Sequence, residues 1–166
     1  MKCTECGTSM KTRKENYRYA ECGLEYVTLV GVKVSRCPKC GGHGVSIQRI
    51  EALHRLIARV LIEKETRFTG DEVRFLRKGL GWSGSDFARH MGVTDETVSR
   101  WENAAAPIGP QADRLLRLLV AQGRLAISYP TERLTRINAR KATITRLEVV
   151  SRGKRWEVGA EPAPRG

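Results

Sequence analysis

Two short cysteine repeats constrain this chain more than any other feature of it. "MKCTECG" begins the sequence and "CPKCG" occupies 37–41, so four of the five cysteines stand in two CxxCG pairs and only Cys22 lies outside them. A tight two-residue turn lets both thiolates of one pair reach a single ion, and a second pair completes a tetrahedral shell of soft donors. The spacing predicts one structural Zn2+ per chain, bound by Cys3, Cys6, Cys37 and Cys40. Gly7 and Gly41 stand where the chain leaves each pair, and positive φ there turns nearby amides toward the sulfurs. Cys22 and His43 are the competing ligands, but neither preserves the paired spacing; they read as a packed thiol and a loop imidazole.

Other uses of paired cysteines fit less well. A thioredoxin-like redox motif wants one CxxC in a βαβ setting, and a disulfide framework wants a secreted chain. The N-terminus has no apolar signal-peptide stretch and no run approaches the ~20 apolar residues of a membrane helix, so the expectation is a reduced, cytoplasmic protein without a membrane partner. A closed four-sulfur shell has no position for water or substrate, and the metal therefore holds a fold together. With three histidines, no nucleophile motif and no phosphate loop, the chain does not read as an enzyme.

Between the cysteine pairs, "ENYRYAE" and "EYVTLVGVKVSRC" are rich in Tyr, Val and Thr and read as strands. "IQRIEALHRLIARVLIEKETR" then places Ile50, Leu53, Ile57, Val60 and Leu61 at helical spacing, an apolar stripe expected to pack on the metal-pinned sheet. "RFTGD" breaks that pattern; Thr69 is a candidate cap for the next helix, and a boundary falls near Arg67. The fold class is α+β: a zinc-pinned, β-rich domain with a helix over 1–67, an all-α domain over 68–123, and a basic extension over 124–166.

The formal charge of +12 points to a polyanionic partner. Residues 1–47 hold eight Lys/Arg against four Asp/Glu, 48–123 hold twelve against ten, and 124–166 hold ten against four, so the extension carries half of the excess. Four thiolates around one zinc would lower the charge of the first segment further, which makes it a poor phosphate-binding surface.

"VRFLRKGLGWSGSDFARHMGVTDETVSRWENA" carries the functional signal. Val73, Leu76 and Leu80 form one helical stripe; Ser83 caps a second helix with Phe87, Ala88 and Met91; "MGVT" is a tight turn; Val98 and Trp101 face inward from a third helix. Gly92 reverses the chain at left-handed φ and Thr94 caps the third helix, the order of a helix-turn-helix. Val93, Val98 and Trp101 are assigned to the core. "GPQADRLLRLLVAQG" follows as a helix with Pro110 in its first turn, Leu115, Leu116, Leu118 and Leu119 on a broad apolar face, and Gly123 as its expected stop.

"GLGWSGSDFARHMGVTDETVSRWENA" resembles the Xre/Cro-repressor type of helix-turn-helix, and the CxxCG and CPKCG pairs ahead of it make residues 1–122 resemble the MqsA (YgiT-type) antitoxins. The resemblance implies a zinc domain that docks a small ribonuclease toxin and a DNA-binding domain that dimerises and represses its own operon by binding a double-stranded operator. It also implies a DNA-facing surface formed by Ser83, Ser85, Thr94, Asp95, Glu96, Thr97, Ser99 and Arg100. Arg100 matches the recognition-helix arginine, which contacts a base or a phosphate; the alternative is an exposed arginine paired with Glu96. Glu96 departs from the pattern, because an amide is usual there; it either accepts from a cytosine amino group or favours the positive end of the helix dipole together with Asp95. Gly84 departs as well, replacing a phosphate-contacting glutamine. A stand-alone repressor and an RNA-binding interaction protein using the basic tail are the other functional readings.

The extension lies beyond the resemblance. "TITRLEVVSRGKRWEVG" suggests a β-hairpin within 142–159: a two-residue Arg152-Gly153 turn would pair Val149 with Trp156 and Leu147 with Val158 on one face. An isolated hairpin is marginal in water, so this one is expected to pack on a dimer mate, the toxin or nucleic acid. The terminal "EPAPRG" reads as disordered.

Overall fold

The computed structural model describes residues 1–125, 127–137, 142–144 and 146–159. The fold is α+β and divides into two compact units. The first comprises Met1–Ala20, Glu25–Leu53 and Arg146–Gly166, and the second comprises Glu21–Leu24 and His54–Thr145.

The first unit is a five-stranded sheet. Strand β1 (Lys11–Arg18) pairs antiparallel with β2 (Val27–Arg36) in a register that sets Lys11 opposite Arg36 and Tyr17 opposite Leu29. A bulge between Glu15 and Tyr17 is matched on β2 by Gly31 at φ 66°, whose amide donates to Asn16 Oδ1 at 3.2 Å. This bulge reverses the strand's parity: Val27 and Leu29 are buried before Gly31, Val32 and Val34 after it. One apolar face therefore continues through a sequence that does not alternate strictly.

The other edge of β2 is shared by two strands. Strand β3 (His43–Ser46) pairs antiparallel with Lys33–Arg36, and β4 (Leu147–Arg152) pairs parallel with Val27–Val30. Strand β5 (Arg155–Val158) closes a hairpin on β4 with Val149 opposite Val158 and Ser151 opposite Trp156. The turn is thus Gly153-Lys154, with Gly153 at φ 58°, one residue later than the sequence suggests. Turning there gives the glycine the left-handed position, and Leu147, Val149 and Trp156 still share the buried face. The hairpin extends the chain's own sheet, and the Trp156 indole donates to the Gln48 carbonyl at 3.0 Å. The terminal EPAPRG lies outside the described residues.

Helix α1 (Ile50–Glu63) contributes Ile50–Leu53 to the first unit and His54–Glu63 to the second. The second unit continues with α2 (Gly70–Gly79), α3 (Gly84–Met91), α4 (Asp95–Glu102), α5 (Pro110–Leu119) and the short α6 (Glu132–Arg136). Local chemistry sets the starts. Thr69 and Glu72 form a capping box at α2, Ser83 and Asp86 form another at α3, and Thr94 Oγ1 accepts from the Thr97 amide at α4. Gly92 ends α3 at φ 67°. Gly123 does not end the last long helix; α5 runs on through it as a π-helical turn, Val120–Leu125. Val73, Leu76, Phe87, Val98, Trp101, Ile108 and Leu116 form the core, with the Phe87 and Trp101 rings edge to face at 6.5 Å. Val93, expected in the core, is only half-buried.

Polar side chains are also buried in this unit. Arg117 is 0% exposed; it donates to Asp113 at 2.7 Å and to the carbonyls of Ile62, Lys64 and Thr66. Asp113 in turn accepts from the Phe68 amide at 2.8 Å, and the guanidinium lies 4.3 Å from the Phe68 ring centroid. One residue of α5 thereby satisfies the open carbonyls at the end of α1 and fixes the link into α2.

Candidate metal centre and nucleic-acid interface

The two cysteine pairs fold alike. Cys3 N donates to Thr8 O at 2.9 Å and Gly7 N returns to Cys3 O at 2.9 Å; Cys37 N donates to Gly42 O at 2.7 Å and Gly41 N returns to Cys37 O at 3.1 Å. Gly7 at φ 71° and Gly41 at φ 74° make both returns feasible. The first loop leads into β1 and the second leaves β2, so pairing of these strands brings the loops together.

The sulfurs of Cys3, Cys6, Cys37 and Cys40 all lie within 4.8 Å of one another. Three separations are 3.4 Å (Cys6–Cys37), 3.5 Å (Cys3–Cys40) and 3.6 Å (Cys6–Cys40). Ligands at ~2.3 Å from a tetrahedral ion stand ~3.8 Å apart, so the cluster has the size of a four-thiolate metal site. The thiols are free of disulfides. Hydrogen bonds from the Thr8 hydroxyl and backbone lower the Cys6 thiol to about 6. The Gly42 amide lowers Cys40, but the neighbouring sulfurs of Cys3, Cys37 and Cys6 prevail and push it up to about 12. Four thiolates cannot crowd together unaided, and a bound cation removes that penalty. Cys22 and His43 lie outside the cluster; burial raises the Cys22 thiol, and the exposed His43 ring stands 6.1 Å from Tyr17.

Helices α3 and α4 hold the residues expected to face DNA, and several are engaged within the protein. Ser83 caps α3 and bonds Asp86, whose carboxyl is held low by Ser83 and by nearby Arg89. Ser85 Oγ donates to Asp95 Oδ2 at 2.6 Å, tying the start of α3 to the start of α4. Thr94 and Thr97 share a hydrogen bond at 2.9 Å, and Ser99 Oγ accepts from Asn103 at 3.2 Å. Glu96 and Arg100 are exposed, and among the described residues neither makes an ion pair or a side-chain hydrogen bond. The pairing of Arg100 with Glu96 does not form. Gly84 has open space around its Cα.

The buried end of α4 is held by charge. Burial pushes the Glu102 carboxyl up, but Arg77 and Arg74 more than offset it and hold it below its ordinary value. Arg77 Nη2 stands 3.1 Å and Arg74 Nε 3.3 Å from Glu102 Oε2. These two arginines of α2 are therefore engaged inward, a role that apolar spacing does not reveal. Lys78 and Arg100 remain exposed and unpaired among the described residues; the sequence reading did not single out Lys78.

The order of caps, the glycine turn and the buried Val98 and Trp101 are decided by comparison with known families: a model described as helix-turn-helix (HTH_3) matches residues 73–121. This segment is an Xre-type helix-turn-helix domain. No curated protein and no solved structure matches the chain. The match points to a DNA-binding regulator, with duplex DNA as the partner of this segment. Among the described residues, no helix is long and apolar enough to cross a membrane.

Proposed function

We propose that the protein is a transcription regulator that holds one structural zinc on Cys3, Cys6, Cys37 and Cys40 and reads duplex DNA with α4. The observation that carries the reading is Arg100 on α4, exposed and unpaired among the described residues, next to the buried Trp101 that fixes the helix. A guanidinium so placed can donate twice to guanine O6 and N7. The four-sulfur donor set favours a soft tetrahedral ion, and a closed shell of this kind stabilises a fold.

Arg100→Ala is expected to leave folding unchanged and to weaken specific binding by about 1–3 kcal/mol, with relaxed preference at one base pair per half-site. A protein binding as a dimer would require two half-sites one helical turn or a multiple apart. Titration of both proteins against selected and scrambled duplexes at two salt concentrations checks this. Equal losses on both duplexes, with a salt slope lower by about one, would reassign Arg100 to a phosphate. No loss on either would remove α4 as the reading element.

The order of a zinc-binding domain before a helix-turn-helix further supports an antitoxin that neutralises a small ribonuclease and represses its own operon. Co-expression of the full chain with the neighbouring gene product of its operon tests this reading. The expected outcome is a stable complex that suppresses RNA cleavage, and uninhibited cleavage would leave a stand-alone repressor. A tail-driven RNA-binding role has less support, because Leu147–Val158 is built into the sheet and Arg146 and Arg152 pair with Glu148 and Glu157.

A further inference from the structure

We propose that a cationic groove on the sheet of the first unit binds a single strand of nucleic acid, with phosphates on Lys11 and Arg13 and a base stacked on His43. The strand register sets Lys11 opposite Arg36 and Arg36 opposite His43, so one rung of β1, β2 and β3 carries two cations and an imidazole on the same face. Arg13 joins them from two residues along β1. Lys11, Arg13, Glu15, Val34, Arg36 and Cys37 are among the residues that line a groove of about 180 Å³ there. The charge count over 1–47 disfavours that segment as a phosphate surface when it is taken whole, but strand pairing gathers its cations in one place.

Like charges directly opposite one another on strands ~4.8 Å apart destabilise a sheet unless an anion lies between them. One carboxylate answers this group. Glu15 accepts from Arg36 Nε at 3.0 Å and from its Nη2 at 2.5 Å, which leaves Lys11 and Arg13 without an ion pair or side-chain hydrogen bond among the described residues. The cysteine cluster does not engage them either. Among the described residues, its sulfurs make side-chain hydrogen bonds with one another and with Thr8.

The surroundings of the groove select among anions. Lys11 and Arg13 stand ~7 Å apart along an extended strand, a span that successive phosphates of an extended polynucleotide bridge. His43 is exposed at the end of the rung, and its ring lies 6.1 Å from that of Tyr17 at 50°, so an aromatic face adjoins the cations. Cations that track a backbone beside rings that stack bases make a single-strand site. A duplex keeps its bases stacked on one another, and an acidic peptide would leave the rings idle. The inference stands apart from the reading of duplex DNA by α4.

The test titrates the zinc-loaded full chain with a fluorescent oligouridine of about 12 nucleotides at several salt concentrations. Lys11→Gln combined with Arg13→Gln alters two exposed, unpaired side chains, and zinc content with the unfolding midpoint confirms the fold. The double variant should bind the strand about ten-fold or more weakly, with a salt slope lower by about 1.4 for two lost phosphate contacts. His43→Ala should weaken binding about five-fold or more and leave the slope unchanged. Both variants should keep wild-type affinity for a duplex selected from a randomised pool, and Arg100→Ala should keep the strand. Absence of strand binding, or strand binding that neither variant alters, overturns the proposal. Equal losses on strand and duplex overturn it as well, because the contacts would then belong to duplex binding. Displacement by oligoglutamate or pyrophosphate as readily as by unlabelled strand would give the groove to an acidic peptide or a free polyphosphate and overturn it too.

Discussion

At Gly70, α2 comes close to the backbone at the end of α4. A Cβ there would stand 2.5 Å from the Trp101 carbonyl oxygen and 2.8 Å from that of Glu102, so the first turn of α2 rests directly on the backbone at the end of α4. Gly79, at the other end of the same helix, has no atom within 4 Å of such a Cβ and needs no positive φ. Gly70→Ala should therefore destabilise the protein by about 1–3 kcal/mol, because backbone must move, while Gly79→Ala should be neutral or stabilising by up to ~1 kcal/mol. Urea unfolding of both variants checks the contrast, and equal midpoints would contradict the close packing of α2 on α4. Thr69, Ser83 and Thr94 were legible in the sequence because a cap acts on amides two or three residues away. The demand on Gly70 was not, because the oxygens that impose it lie 31 and 32 residues further along.

At the scale of elements, the same distinction between local and distant causes separates what could be read from what could not. The two CxxCG loops were readable as one site because their chemistry leaves few alternatives, and the structure brings all four sulfurs together. The hairpin was readable from its apolar face but not its neighbour: parallel pairing of β4 with Val27–Val30 joins segments more than a hundred residues apart, and no local pattern specifies it. Arg117 shows the limit within a helix. Flanked by Leu116 and Leu118, it occupies a core position that an apolar pattern would assign to a hydrophobe, yet it holds three carbonyls and the buried Asp113. Removing one partner of such a pair costs about 3–5 kcal/mol, so the charge is tolerated only because every part of it is satisfied. The readable signal was the Asp113–Arg117 spacing of one helical turn, which alone resembles an ordinary surface pair.

The sheet of the first unit joins segments more than a hundred residues apart, and two of its strands adjoin the cysteine loops. Strand β1 follows the first loop, β2 leads into the second, and β4 hangs on the edge of β2. Without a cation, the four crowded sulfurs oppose their common ionisation, and the tie between the two cysteine loops is lost. Chelation under reducing conditions should consequently release β1, β2 and the hairpin Leu147–Val158 together, although the hairpin contributes no ligand. Helices α2 to α5 should keep their order, since Val73, Leu76, Phe87, Trp101 and Leu116 form a core of their own. Amide hydrogen exchange resolved along the chain measures this directly: protection should fall in 11–36 and 147–158 in one step and persist in 70–119. A hairpin that stays protected after β1 and β2 have lost protection would show that its order does not derive from the metal-pinned strands. Unchanged protection throughout would show that the metal is not what holds the sheet.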